Sequence, residues 1–390
     1  MRQIIPCFSG RSVIVQAFLR WAETAKPADR AKAADALARA YLVSPMDDEK
    51  RRAASMAMMH LLDDPSPVVR AALAEALADT AAAPRGIVVA LAEDQPVIAS
   101  KVITRSPVLT ETDLVDLAGR GTCMARALIA SRPALTRGVA AAVAEVGGEA
   151  EVLLLLENRT ASITRFTLRR IAERHGQHAA VRNLLLERED LTADARHVLI
   201  SHISEALASS GLMRTTMTAS RIDHVTREAG DAATVAIAGT VRHQDIPGLV
   251  EHLRLSGRLT PAFLIHVLCS GKVDFFAGAI CNLSGLEDQR VRAILATGRM
   301  HAVRALFEAV GLDRAVAVVF VEAVLLWREA ARSPLGTSMF GICLPLLERF
   351  RPQATALSPL AELLDMIEKL QLMEERILAR SYAGDLAVAA

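Results

Sequence analysis

The chain reads as an all-α protein: an α-solenoid of HEAT-like or leucine-rich-repeat-variant-like units, followed by a less regular C-terminal helical region. Three observations predict it. Hydrophobic residues fill 52% of the 390 positions but aromatics only 4%, so helix-favouring Ala and Leu are abundant and β-favouring Tyr, Trp and Phe are scarce. The stretch "RPALTRGVAAAVAEVGG" (Arg132 to Gly148) shares its grammar with "SPVLTETDLVDLAGRG" before it and "RTASITRFTLRRIAERHG" after it. The threonines of the Leu-Thr or Ile-Thr pairs, Thr110, Thr136, Thr164 and Thr192, are spaced by 26, 28 and 28 residues.

Residues 1–62 are read as N-terminal helices that cap the solenoid, and 63–206 as repeats of 26–28 residues. Four, seven and eight positions after each threonine stand Leu114, Leu117 and Ala118, then Ala140, Val143 and Ala144, then Leu168, Ile171 and Ala172. That is the apolar stripe of an amphipathic helix. The fourth unit departs with Arg196 before Leu199 and Ile200. Eleven, eight and seven positions before the anchors, Ala99, Val102 and Ile103, then Ala125, Leu128 and Ile129, predict a shorter helix; the third unit offers Leu153, Leu156 and Glu157. Pro84 occupies the anchor slot one unit earlier. Each threonine is placed to cap a helix, with "TETD" close to a capping box. Gly121, Gly147 and Gly176 stand where helices must stop, in the left-handed conformation that glycine adopts cheaply. A two-helix unit of this kind cannot bury both faces alone, so stacking follows.

Residues 207–240, with "ASSGLMRTTMTAS", read as an irregular connection. Residues 241–390 form the C-terminal region, with helices predicted at 245–256, 260–271, 273–283, 287–297, 300–310 and 312–330. In the last helix Leu363, Met366, Leu370, Met373 and Ile377 make a stripe. It is expected to seal the end of the solenoid, with a short dimer seam as the alternative.

Chemistry is harder to find. The 45 basic and 44 acidic residues leave no global pull toward nucleic acid or an anionic membrane. The apolar run Ala315 to Trp327 is too short to span a bilayer and contains Glu322. Five scattered cysteines (Cys7, Cys123, Cys269, Cys281, Cys343) suit buried free thiols in a cytoplasmic protein, and the N-terminus makes a poor signal peptide. Nucleotide, nucleophile-elbow and zinc-protease motifs are missing, so no catalytic residue, cofactor or metal is expected. His175, His178, His197 and His202 read as ordinary helix-end or surface residues. Arg165, Arg169, Arg170 and Arg174 form the densest basic helix; they read first as a solvated face with local ion pairs, and then as the candidate contact for an acidic protein partner or a phosphate. Phe275 and Phe276 beside Cys281 read as core.

The segments "LLDDPSPVVRAALAEALA", "SPVLTETDL", "EREDLT", "GRLTPAFLIHVLCSGKVDFF" and "ALFEAVGL" occur in that order. Together they resemble an alphaproteobacterial family known as a domain of unknown function, over roughly Ala22 to Gly311. The resemblance implies a helical-repeat protein and brings no catalytic residues. The function expected is a non-catalytic, cytoplasmic interaction scaffold or regulatory adaptor, monomeric and without membrane contact. The alternatives are a HEAT-like nucleic-acid-binding protein, or a helical-repeat hydrolase whose carboxylates the sequence does not single out.

Overall fold

Every threonine anchor precedes the first turn of a helix. Thr110 caps Glu111–Arg120, Thr136 precedes Arg137–Val146, Thr164 caps Arg165–His175, Thr192 precedes Ala193–Ser209, and Pro84 stands before Arg85–Ala92. The computed structural model describes residues 13–332, 340–354 and 358–389. Cys7, the first twelve residues and most of "RSPLGTS" lie outside them. Among the described residues all regular structure is helical. The chain divides into two units, residues 1–190 and 191–390.

In the first unit the helices alternate between two stacks. Pro67–Leu77, Pro96–Arg105, Cys123–Ala130, Glu149–Glu157 and Ala179–Leu186 pack each on the next, and Glu111–Arg120, Arg137–Val146 and Arg165–His175 make a second series. The predicted stripes supply the core: Leu114, Ala118, Ala140, Val143, Leu168, Ile171, Val102 and Ile103 are all buried. The third unit differs by one residue in register. Glu149–Glu157 buries Val152, Leu155 and Leu156, because six residues (158–163) separate it from Thr164 whereas five (131–135) precede Thr136.

Within the first unit polar clamps join segments 26 to 29 residues apart. Asn158 donates its amide to the carbonyls of Ala130 and Arg132 at 2.8 Å, and Arg132 reaches the carbonyls of Ile103 and Ser106. The same order begins earlier than expected. Within the stretch read as an N-terminal cap, Pro27–Val43 packs on Pro67–Leu77; Arg30 grips Asp64 as Arg70 grips Asp94.

Gly121, Gly147 and Gly176 end helices, but with φ of −74°, −69° and −62° they are not left-handed. A Cβ at Gly121 would run into the Leu117 carbonyl oxygen that its own N–H meets at 2.8 Å. Close approach, not handedness, is the constraint there. Ala134, in the loop before Thr136, does take the left-handed region at φ 54°, with its N–H donated to the Thr160 hydroxyl at 3.0 Å.

The second unit opens with Ala193–Ser209, Gly211–Thr216 and Ala219–Thr240. The stretch expected as an irregular connection is therefore mostly helix. Its hydroxyls explain the difference: Thr226 and Thr234 turn back onto the carbonyls of Ile222 and Gly230 at 2.8 and 2.7 Å, so the polar sequence satisfies itself inside the helix. Ile246–Leu255, Pro261–Cys269, Val273–Ser284, Asp288–Thr297, Met300–Ala309 and Arg314–Ala330 follow within a residue or two of expectation. Pro261–Cys269 is the centre, buried from Phe263 through Cys269. Phe276 stacks on Phe320 at 6.0 Å with Phe307 against both. Leu363, Leu364, Ile367 and Leu370 of Pro359–Ala389 close this core.

Candidate functional site

Most of the charge on the basic helix is already engaged within the chain. Arg170 meets Glu145 with two bonds of 2.7 and 2.8 Å, and that pairing, more than Glu173, raises its pKa above the ordinary guanidinium value. Arg174 donates to the Ala144 carbonyl, Arg169 pairs with Glu173 at 3.0 Å, and Arg165 lies in the field of Asp190. Glu145 and Ala144 lie at the end of Arg137–Val146, so Arg170 and Arg174 tie that helix to Arg165–His175.

Cysteine and histidine chemistry is muted. Burial raises the pKa of Cys281, whose thiol donates to the Leu286 carbonyl at 2.9 Å. Cys269 is buried and hydrogen-bonded to Cys343, which holds its thiol protonated. Cys123, expected to be buried, is exposed. His178 meets Glu149 at 3.0 Å, and His175 is buried at its helix end. Among the described residues no three His, Cys, Asp or Glu side chains come together as a metal site. Phe275 and Phe276 are core, as expected.

Two surfaces remain. The first is a polar cleft of about 200 Å³ between Ala193–Ser209 and Ala219–Thr240, lined by His197, Ser201, Ser204, Thr226, Asp231 and Arg258. His197 is buried, with Nδ1 3.0 Å from Nε2 of His252. Burial, then the charges of His252 and Arg258, lower its pKa to about 4. Asp231 sits 3.5 Å from Arg258, yet burial outweighs that attraction and its pKa is raised. Polar residues at 223, 226, 227, 231 and 234 mark one helix face, a signal hidden when the stretch is read as a loop.

The second surface belongs to the first unit. Val68, Val97 and Met124 each stand second in a stacked helix and are 58%, 73% and 50% exposed. Ala150 and Ala180 continue the row, also exposed. A groove of about 340 Å³ runs beside it between Pro96–Arg105 and Cys123–Ala130, lined by Pro96, Leu117, Met124 and Leu128, with Glu93 and Asp116 among its polar residues. The stripe count passes over this row because it follows the buried positions. The pairs "VV" at Val68-Val69 and "VI" at Val97-Ile98 carry the signal, since one residue of each suffices for the core.

No helix among the described residues is long and apolar enough to cross a membrane. Neither a curated protein nor a solved structure matches the chain. A family model described as "Uncharacterised protein conserved in bacteria (DUF2336)" matches residues 98–357, starting and ending later than the resemblance read from the sequence. The match covers more than half of the chain, taking in the later stacked helices of the first unit and most of the second, and on that ground the chain belongs to the DUF2336 family of bacterial proteins.

Proposed function

We propose that the chain is a non-catalytic interaction scaffold, an α-solenoid that offers one edge of its first unit to a protein partner in the cytoplasm. The observation that carries this reading is the exposed row Val68, Val97 and Met124 on consecutive stacked helices. Nothing in helix formation asks for an apolar side chain in the second position, where the helix dipole favours acids. Scattered exposed valines are ordinary; three in register on neighbouring helices form a strip that excludes water when covered. The adjoining groove gives such a partner a place for apolar side chains.

The triple variant Val68→Glu, Val97→Glu, Met124→Glu tests it, because glutamate suits these positions and leaves the core intact. Partners cross-linked to the wild-type chain in its native cell are expected to fall by about tenfold or more, the cost of losing a buried apolar anchor, with an unchanged far-ultraviolet circular dichroism spectrum. Undiminished cross-linking would remove the function from this edge.

A hydrolase is the second reading, favoured by Asp231: a carboxylate with a raised pKa beside hydroxyls and an arginine suits a general acid. A folded-state pKa above the unfolded one means that the ionised form costs stability, increasingly as pH rises from the ordinary Asp value through the folded value. Asp231→Asn is therefore expected to raise the melting temperature at pH 7 and to leave it unchanged at pH 3. A drop at pH 7 would mean that the Arg258 ion pair is structural, and would count against this reading.

A further inference from the structure

A cavity of about 440 Å³ opens in the second unit among Pro261–Cys269, Val273–Ser284, Asp288–Thr297 and the end of Arg314–Ala330. Its volume is that of small-molecule sites, about 300–1,000 Å³. The walls are apolar: Leu268, Val273, Phe276, Leu295, Val324 and Trp327. They are also fixed. Phe276 is held in the stack with Phe320 and Phe307. Trp327 lies over Gly271, where φ is +72° and a Cβ would come within 3.1 Å of the indole, so glycine is required there on both counts.

The rim is charged on one side. Arg328 is locked by the carbonyls of Ile294, Leu295 and Gly298 at 2.7–2.8 Å. Burial lowers its pKa, and the neighbouring charge that adds to this is another cation, Arg332. Arg332 lines the cavity, is exposed, and has no ion-pair partner among the described residues. Arg292, also lining it, is already paired with Asp274 and Asp288 at 2.7 and 2.9 Å. An apolar pocket thus ends at a guanidinium that no carboxylate among the described residues pairs.

We propose that this cavity binds a small amphiphile with one anionic head, a medium-chain acyl carboxylate, its chain against Val273 and Trp327 and its carboxylate on Arg332. A planar guanidinium takes a carboxylate through two parallel bonds, which an alcohol or a cationic head cannot reproduce. The site is independent of the scaffold edge in the first unit.

The chain has two tryptophans, so Trp21→Phe, at an exposed position, leaves Trp327 as a fluorophore in the cavity wall. Titrating that variant with decanoate below its micelle concentration is expected to give a saturable change in emission. Decanol and decyltrimethylammonium are expected to bind at least about tenfold more weakly, the worth of one charge-assisted hydrogen-bonded pair. Arg332→Glu in the same background, with its fold checked by thermal melting, should weaken decanoate by about as much and leave decanol unchanged. The absence of a saturable response would overturn the site. Equal affinity for decanol and decanoate, or wild-type affinity in Arg332→Glu, would overturn the carboxylate assignment.

Discussion

At Thr164 the hydroxyl accepts the Thr167 N–H at 3.1 Å, while at Thr136 the side chain makes no capping bond. Thr164→Ala is therefore expected to cost about 0.5–2 kcal/mol in a urea melt, and Thr136→Ala only a few tenths, about the backbone preference alone. Equal losses would show that position, not the hydroxyl bond, matters. The spacing of threonines locates helix starts; it does not reveal which hydroxyl rotates onto an N–H, since that depends on loop geometry such as the left-handed Ala134. Histidines carry the larger titration. His197 and His266 are both buried, and burial chiefly lowers both to about 4, from an ordinary value of 6.5. Their neutral forms support the fold fully above 6.5. As pH falls toward 4 the unfolded chain takes protons that the folded one refuses, and stability declines by up to about 1.4 kcal/mol per pH unit for each. Urea midpoints from pH 7 to 4 should show this, with His266→Asn flattening the slope if the variant folds. An unaltered slope in a folded variant would remove His266 from the account.

Among elements, helix faces were legible and helix partners were not. Apolar periodicity found the buried stripes of Glu111–Arg120, Arg137–Val146 and Arg165–His175 because burial on one side of a helix leaves a 3.6-residue trace. The arginines of the last of these read as a solvated face with local ion pairs, and such pairs are present, but no spacing within one helix discloses that the partner of Arg170 is Glu145, 25 residues earlier. That distance is close to the 26- and 28-residue spacing of the threonines, so an acid about that far back in the sequence was the available clue. Ala219–Thr240 was missed for the opposite reason. Threonine, glycine and aspartate mark loops when they bond to turns, but here the hydroxyls bond within the helix and Asp231 faces the cleft. The polar cleft consequently had no counterpart among the residues singled out from sequence.

Over the whole molecule, the second unit completes its core from its own residues, from Ala193 to Leu370, and the last helix has two different halves. Leu363 and Leu370 are 1% and 2% exposed, whereas Met373 and Ile377 on the same stripe are 49% and 55% exposed. A stripe read as one surface is thus a core seal followed by a solvent-facing continuation. Leu370→Glu places a charge in the core and is expected to cost several kcal/mol, since an unpaired buried carboxylate has no compensation; it should lower the melting temperature sharply and cannot report on pairing. The informative variant is Met373→Glu with Ile377→Glu, which leaves the seal untouched. Three exposed turns bury too little for a stable seam by themselves, so wild type and this double variant are expected to sediment alike, as monomers, at micromolar concentration. A dimeric wild type that the double variant converts to a folded monomer would identify the outer half of the helix as a contact between two copies. A dimer that survives it would place the contact elsewhere and leave Met373 and Ile377 as an exposed end of the helix.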